Sequence, residues 1–165
     1  MRKNRDGFYT GEYVVENKEK YTGIKNPKCR SSWEHRFAHF LDHQPQVKKW
    51  SFESIIIEYF FPIDKKIHRY FPDFYFEEEE NGGKVRKFLI EVKPKTQIFT
   101  PKEPKNNNNK RRLRYLYEAQ TYVKNRSKWE AADLYCKKYG YEFRIASLVK
   151  NKGNDIWKVF SLNQI

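Results

Sequence analysis

Apolar positions along this chain fall into one helical stretch, then a series of short β-like runs, then a second helical region, then strand again. Ser31 reads as a helix cap, and Trp33, Phe37, Phe40 and Leu41 behind it recur at the spacing that lines one helical face. Gln44-Pro45 closes that helix, because a residue before proline avoids the helical region. Residues 47–50 are a short lead-in. Residues 54–61 are β-branched and aromatic, which predicts a strand buried on both faces at its centre. Residues 62–66 turn the chain, and 67–70 and 73–77 are strand segments broken at Pro72. Residues 77–83 form a hairpin connection with Asn81-Gly82 as its turn signal, its glutamates solvated, and 85–92 form the next strand. Residues 94–110, with Pro94, Pro101, Pro104 and an asparagine tract, form a loop. Residues 111–125 and 128–139 predict two helices, the second carrying Trp129, Ala132, Tyr135 and Cys136 on one stripe and stopping at Gly140. Residues 143–149 alternate as a strand, and 156–160 close the chain. The order predicts a mixed α/β (α+β) domain over residues 29–165. Residues 1–28, basic and carrying Gly7, Gly11, Gly23 and Pro27, are expected to form an irregular arm rather than core.

Charge changes this picture more than size does. Thirty-four Lys and Arg against 21 Asp and Glu leave a net charge of +13, which calls for a polyanionic partner. Neither end carries a basic amphipathic helix, so nucleic acid is favoured over an anionic membrane. A basic surface kept only for solubility is the plainer alternative. Aromatic residues make up 18% of the chain, enough to build an aromatic core. Tyr115, Tyr117 and Tyr122 are read as helix packing rather than base stacking. Cys29 and Cys136 stand far apart with no C-x-x-C pair, which fits a reducing compartment. Cys136 reads as a small buried hydrophobe. With no signal peptide and no membrane-spanning run, a cytoplasmic location is expected. The four histidines lack ligand spacing in the sequence, so no zinc site is expected.

The chemistry concentrates in His68-Arg-Tyr-Phe-Pro-Asp73 and Glu91-Val92-Lys93. Residues two apart on a strand share a face, so Glu91 and Lys93 point the same way. A hairpin can bring Asp73 beside them. Two carboxylates and the Val92 carbonyl are oxygen ligands of the kind Mg²⁺ or a similar hard cation takes, Mn²⁺ being the alternative. Lys93 would orient or deprotonate a water and balance transition-state charge. Glu34 is a more remote carboxylate, able to join if the first helix packs on the sheet. An ordinary exposed strand face at Glu91 and Lys93 is the competing reading. Candidates for DNA contact are His68, Arg69, Lys95, Lys105, Lys110, Arg111, Arg112, Gln120 and Lys128. The basic loop and helix start among them would hold phosphates without reading sequence.

These residues resemble the restriction-endonuclease-like nucleases, whose pattern is PD-(D/E)-x-K, here Pro72-Asp73 and Glu91-Val92-Lys93. Arg30-Ser-Ser-Trp-Glu34, Pro45, Trp50, His68 to Phe74 and Ile90 to Pro94 are similar to two branches: the endonuclease subunit of heteromeric transposases, and the head-completion nucleases of contractile-tailed phages. Thr121 to Asn125, Lys128 to Ala132 and Tyr135 to Phe143 look like the phage type. The resemblance implies a central mixed sheet flanked by helices and an active site of Glu34, Asp73, Glu91 and Lys93. It also implies cutting of DNA in the host cytoplasm or the virion, after packaging, beside portal or neck proteins. The alternatives are a transposon-end endonuclease cutting 5′ ends, and a virion assembly protein that binds DNA or portal without cutting.

Overall fold

A computed structural model describes residues 2–3, 9–105, 108–152 and 154–165. Its frame is a five-stranded sheet in the order β10-β9-β8-β7-β4. The strands are β4 (Val47–Phe52), β7 (Phe74–Glu79), β8 (Val85–Val92), β9 (Glu142–Asn151) and β10 (Asn154–Phe160). Neighbours run antiparallel except β8 and β9, which are parallel. Parallel neighbours need a long crossover, and helix α2 (Asn109–Tyr139) lies within it. Helix α1 (Ser32–His43) covers the other face.

Strand β8 is the middle of the molecule, and its last five residues are all buried. Successive side chains go to opposite faces. Phe88, Ile90 and Val92 therefore join Phe37, Ala38 and Leu41 of α1 in one core. Leu89 joins Trp129, Ala132 and Cys136 of α2, with Phe143 and Ile145, in the other. The cysteines are packing groups, as expected for Cys136; burial pushes both thiols up to about 12.

Helix α1 begins and ends where the sequence places it. Ser31 accepts from the Glu34 N–H, and Gln44 is the C-cap before Pro45. Helix α2 differs from expectation: it is one helix of 31 residues, not two. Nothing at Arg126-Ser127 breaks it. The Ser127 hydroxyl donates to the Val123 carbonyl, and Arg126 pairs with Glu130 one turn on. What changes there is packing. Leu113, Leu116 and Tyr117 are exposed, whereas Asn125, Trp129, Ala132 and Cys136 are buried. Tyr117 thus departs from its expected packing role; Tyr115 and Tyr122 are half-buried. Gly140 ends the helix with a φ of 70°, a conformation other residues avoid.

The run 54–61 is also revised. The strand is β5 (Ile57–Phe61), and it pairs only with β6 (Lys66–Tyr70), outside the central sheet. Ile57 and Tyr59 face α2, whereas Phe60 and its cross-strand partner Ile67 are exposed. A β-branched run signals a strand, but not how many of its faces are covered. Strand β4 is the edge of the main sheet, more than the short lead-in expected.

Strands β1 (Arg2–Lys3), β2 (Tyr9–Glu12) and β3 (Lys28–Cys29) form a small separate sheet. The opening segment is expected to lie outside the core, yet Tyr13, Val15 and Pro27 are buried. The organising group is Asp42, which is fully buried. It accepts from the Tyr13 hydroxyl (2.8 Å) and from the N–H groups of Glu16 (2.8 Å) and Asn17 (3.2 Å). These bonds replace the water a buried carboxylate loses. The part of the arm at residues 4–8, and Asn106-Asn107 of the loop, lie outside the described residues. The loop before α2 carries a 3₁₀ turn (Lys95–Gln97) and a fully buried Ile98.

Candidate active site

The Pro72 step delivers Asp73 to the start of β7, where the β7–β8 ladder ends with Phe74 opposite Ile90. The Val92 N–H lies beyond that ladder, and it donates to Asp73 Oδ2 at 2.7 Å. Asp73 is thereby fixed against the β8 main chain, and the Val92 peptide is brought to the site. Glu91 and Lys93 share the face towards α2, with Lys93 Nζ 2.7 Å from Glu91 Oε1. The other oxygen of Glu91 accepts from the Tyr70 hydroxyl at 2.6 Å.

Glu34 reaches the site from the first turn of α1. Its oxygens accept from the Arg30 N–H (2.8 Å) and the Ser31 hydroxyl (3.0 Å). Glu34 therefore also serves the helix start, a structural duty of the capping-box kind. Glu34, Asp73 and Glu91 are 8%, 5% and 2% exposed. Their oxygens do not all lie within 4.8 Å of one another. Each carboxylate is held by its own donors, and like charges in a dry site repel.

The electrostatics follow from that burial. Desolvation pushes the Asp73 carboxyl up to about 8, the charges of Glu91 and Glu34 push the same way, and Lys93 opposes them. For Lys93, burial works against the ammonium. Glu91, Asp73 and Glu34 outweigh it and hold the group above its ordinary value. Lys128 of α2 is half-buried with Nζ 5.3 Å from the Tyr70 ring centre, and burial lowers its pKa while Glu91 and Asp73 resist. Three carboxylates thus face one directly paired ammonium, with a second, half-buried lysine nearby.

Of the candidates for DNA contact, Lys128 is brought to this centre. Arg69 is not: it alternates with Tyr70 along β6 and is exposed on the opposite side of the hairpin. His68 pairs with Asp64 at 2.7 Å and stacks on Tyr59. Lys105, Lys110, Arg111 and Arg112 are exposed on the loop and the free start of α2. Lys95 lines a groove of about 850 Å³ with Phe99, Lys102, Arg114, Tyr117 and Tyr122. Gln120 is exposed, about 12 Å before Lys128 along the helix.

Sequence reading missed Tyr70. Its only signal was alternation, which puts it on the inner face of a strand. A charge-assisted hydrogen bond contributes roughly 1.5–3 kcal/mol, so Tyr70→Phe is expected to slow cutting about tenfold or more without unfolding the chain. A wild-type cleavage rate in a folded Tyr70→Phe protein would remove Tyr70 as the group that orients Glu91.

The family model described as TnsA-like endonuclease N terminal matches residues 44–147, which include Tyr70, Asp73, Glu91, Lys93 and Lys128. The chain belongs to the TnsA-like endonuclease family. It is similar to the head completion nuclease of Enterobacteria phage T4, with 34% identity over 138 residues, 83% of this chain and 89% of that protein. No solved structure matches it. Glu34 precedes the residues matched by the family model. The mixed sheet with a helix on each face agrees with the restriction-endonuclease-like core expected from the sequence. Among the described residues, no helix is long and apolar enough to cross a membrane.

Proposed function

We propose that this endonuclease hydrolyses DNA phosphodiester bonds with Mg²⁺, Mn²⁺ serving as a substitute, and acts in phage head completion after packaging. The observation that carries the reading is the charge imbalance of one buried region: Asp73, Glu91 and Glu34 against Lys93. Buried carboxylates in excess of their ammonium partners fit a hard divalent cation. Asp73, Glu91, Glu34 and the Val92 carbonyl would hold it. When bound, such an ion supplies Lewis-acid stabilisation of phosphoryl charge and lowers the pKa of water.

The chain's own residues do the rest. The carboxylates around Lys93 keep it an ammonium, so it works as a donor that orients the attacking water and stabilises charge on the phosphate. Tyr70 fixes one oxygen of Glu91 and Lys93 engages the other. Water oxygen bonds to phosphorus, the bond to the 3′-oxygen breaks, and that oxygen takes a proton. The ends are a 5′-phosphate and a 3′-hydroxyl.

A net charge of +13, with Lys110, Arg111, Arg112 and Arg114 clustered at the exposed start of α2, supports DNA as substrate. The near-full coverage of the phage relative supports the head-completion role over a transposon-end role. Portal or neck proteins are the partners this role implies. The test is a plasmid-nicking assay with the ends mapped. Cutting in Mg²⁺ that EDTA abolishes, leaving 5′-phosphate ends, is expected. Cutting that survives EDTA would overturn the metal role, and a folded protein inert in both Mg²⁺ and Mn²⁺ would leave a DNA- or portal-binding assembly protein instead.

A further inference from the structure

A second cluster lies away from these carboxylates. One ligand atom each from Glu16, His39 and His43 all lie within 4.8 Å of one another, and all three residues are exposed. No zinc site is expected from the histidines in the sequence, but the spacing of His39 and His43 is one that ligands take. On α1, His39 and His43 are four residues apart and so share a face, their ring centres 4.0 Å from each other.

The hydrogen bonding defines which atoms are free to bind. His43 Nδ1 lies 2.9 Å from the His39 carbonyl oxygen. That oxygen only accepts, so Nδ1 carries the hydrogen, and in the neutral ring Nε2 presents its lone pair. Metal-bound histidines are commonly oriented by such a bond to a carbonyl. Nε2 faces Glu16 Oε2 at 3.3 Å. A lone pair and a carboxylate oxygen at that distance repel unless a cation or a proton lies between them. Zinc bonds of about 2.0–2.2 Å at tetrahedral angles separate neighbouring donor atoms by about 3.4 Å.

The surroundings are built for rigidity. Glu16 and Asn17 are anchored through their N–H groups to fully buried Asp42, which also accepts from the Tyr13 hydroxyl. The Tyr13 ring in turn stands edge-on to His39, with centres 6.4 Å apart. Two imidazoles and one carboxylate suit a borderline metal such as zinc, unlike the oxygen set of the nuclease centre.

We propose that Glu16, His39 and His43 form a second metal site, for a zinc-type divalent cation, that staples residues 13–17 to the C-terminal end of α1. A water would fill the remaining position. The competing arrangement is a protonated His43 paired with Glu16, which needs no metal.

Zinc titration of the full chain by calorimetry, in excess Mg²⁺ and at mildly alkaline pH, separates the two. Excess Mg²⁺ occupies the oxygen ligands of the nuclease centre. The wild type is expected to bind one zinc equivalent and to melt at higher temperature with zinc than without. His43→Ala, His39→Gln and Glu16→Gln are each expected to weaken zinc binding about tenfold or more and to lose the thermal shift. All three should retain wild-type circular dichroism and wild-type cutting in Mg²⁺. Zinc bound equally by the wild type and the folded His39→Gln and Glu16→Gln variants overturns the site. So does a wild type that takes up no zinc under these conditions.

Discussion

Asp73→Asn is expected to abolish cleavage and, in the same protein, to raise the melting temperature of the metal-free form at pH 8 and above. The two effects have one cause. Burial and the neighbouring carboxylates push Asp73 up to about 8, far above the ordinary carboxyl value of 3.8. A group raised on folding contributes stability below its unfolded pKa and loses it as pH rises through the folded one. Metal-free wild type should therefore weaken progressively from about pH 4 to pH 8 through this residue. Asparagine removes the ionisation, while its amide oxygen still accepts from the Val92 N–H. A gain of at least about 1 kcal/mol, roughly 2–4 °C for a chain of this size, is expected at pH 8 in EDTA. Losing a carboxylate proposed to hold the metal should cost about 10³-fold or more in cutting, with DNA affinity retained. Thermal melts across pH and single-turnover cleavage read the two effects. A variant that still cuts, or one less stable than wild type at pH 8, would contradict this role for Asp73.

Lys93→Ala is expected to lose cutting to a similar extent and to shift stability the opposite way. Removing the ammonium leaves Glu91 and Asp73 in a dry site with their main counter-charge gone. Breaking a fully buried pair costs several kcal/mol; Lys93 keeps a quarter of its side chain in solvent, so about 2 kcal/mol is expected. Because Lys93 is held above its ordinary pKa, its contribution persists through the neutral range and is lost only in strong alkali. Urea unfolding in EDTA at pH 8 should therefore rank Asp73→Asn above wild type and Lys93→Ala below it. Two inactive variants shifted in the same direction would show that the carboxylates and the lysine are not balanced against one another.

The parts of this arrangement written in local spacing were legible in the sequence. Ser31 and Pro45 mark the ends of α1 because caps and proline act within a few residues. Glu91 and Lys93 share a face because strand alternation has a period of two. Contacts between distant segments were not legible. Tyr70 meets Glu91 across 21 residues, by way of a hairpin that leaves the central sheet. Tyr13 and Asp42 are buried together, although the segment holding Tyr13 is basic, glycine-rich and without periodicity. The split placed in α2 arose from a change of environment. The apolar stripe moves from solvent to core near Asn125, and sequence periodicity registers that as an interruption while the backbone continues. His39 and His43 had helical spacing from the start, but their third neighbour, Glu16, comes from the segment that held no pattern.

The unbroken course of α2 has a mechanical consequence. At 31 residues it is a rod about 46 Å long, and its buried residues all lie from Asn125 onward. A free helix as short as its leading half would be marginal in water, because the first turn is the costly one to form. Here that cost is met within the anchored half, and helix propagates outward from it. The cluster Lys110, Arg111, Arg112 and Arg114 is therefore carried on a stiff cantilever rather than a slack tether, and a polyanion meeting it has little ordering left to drive.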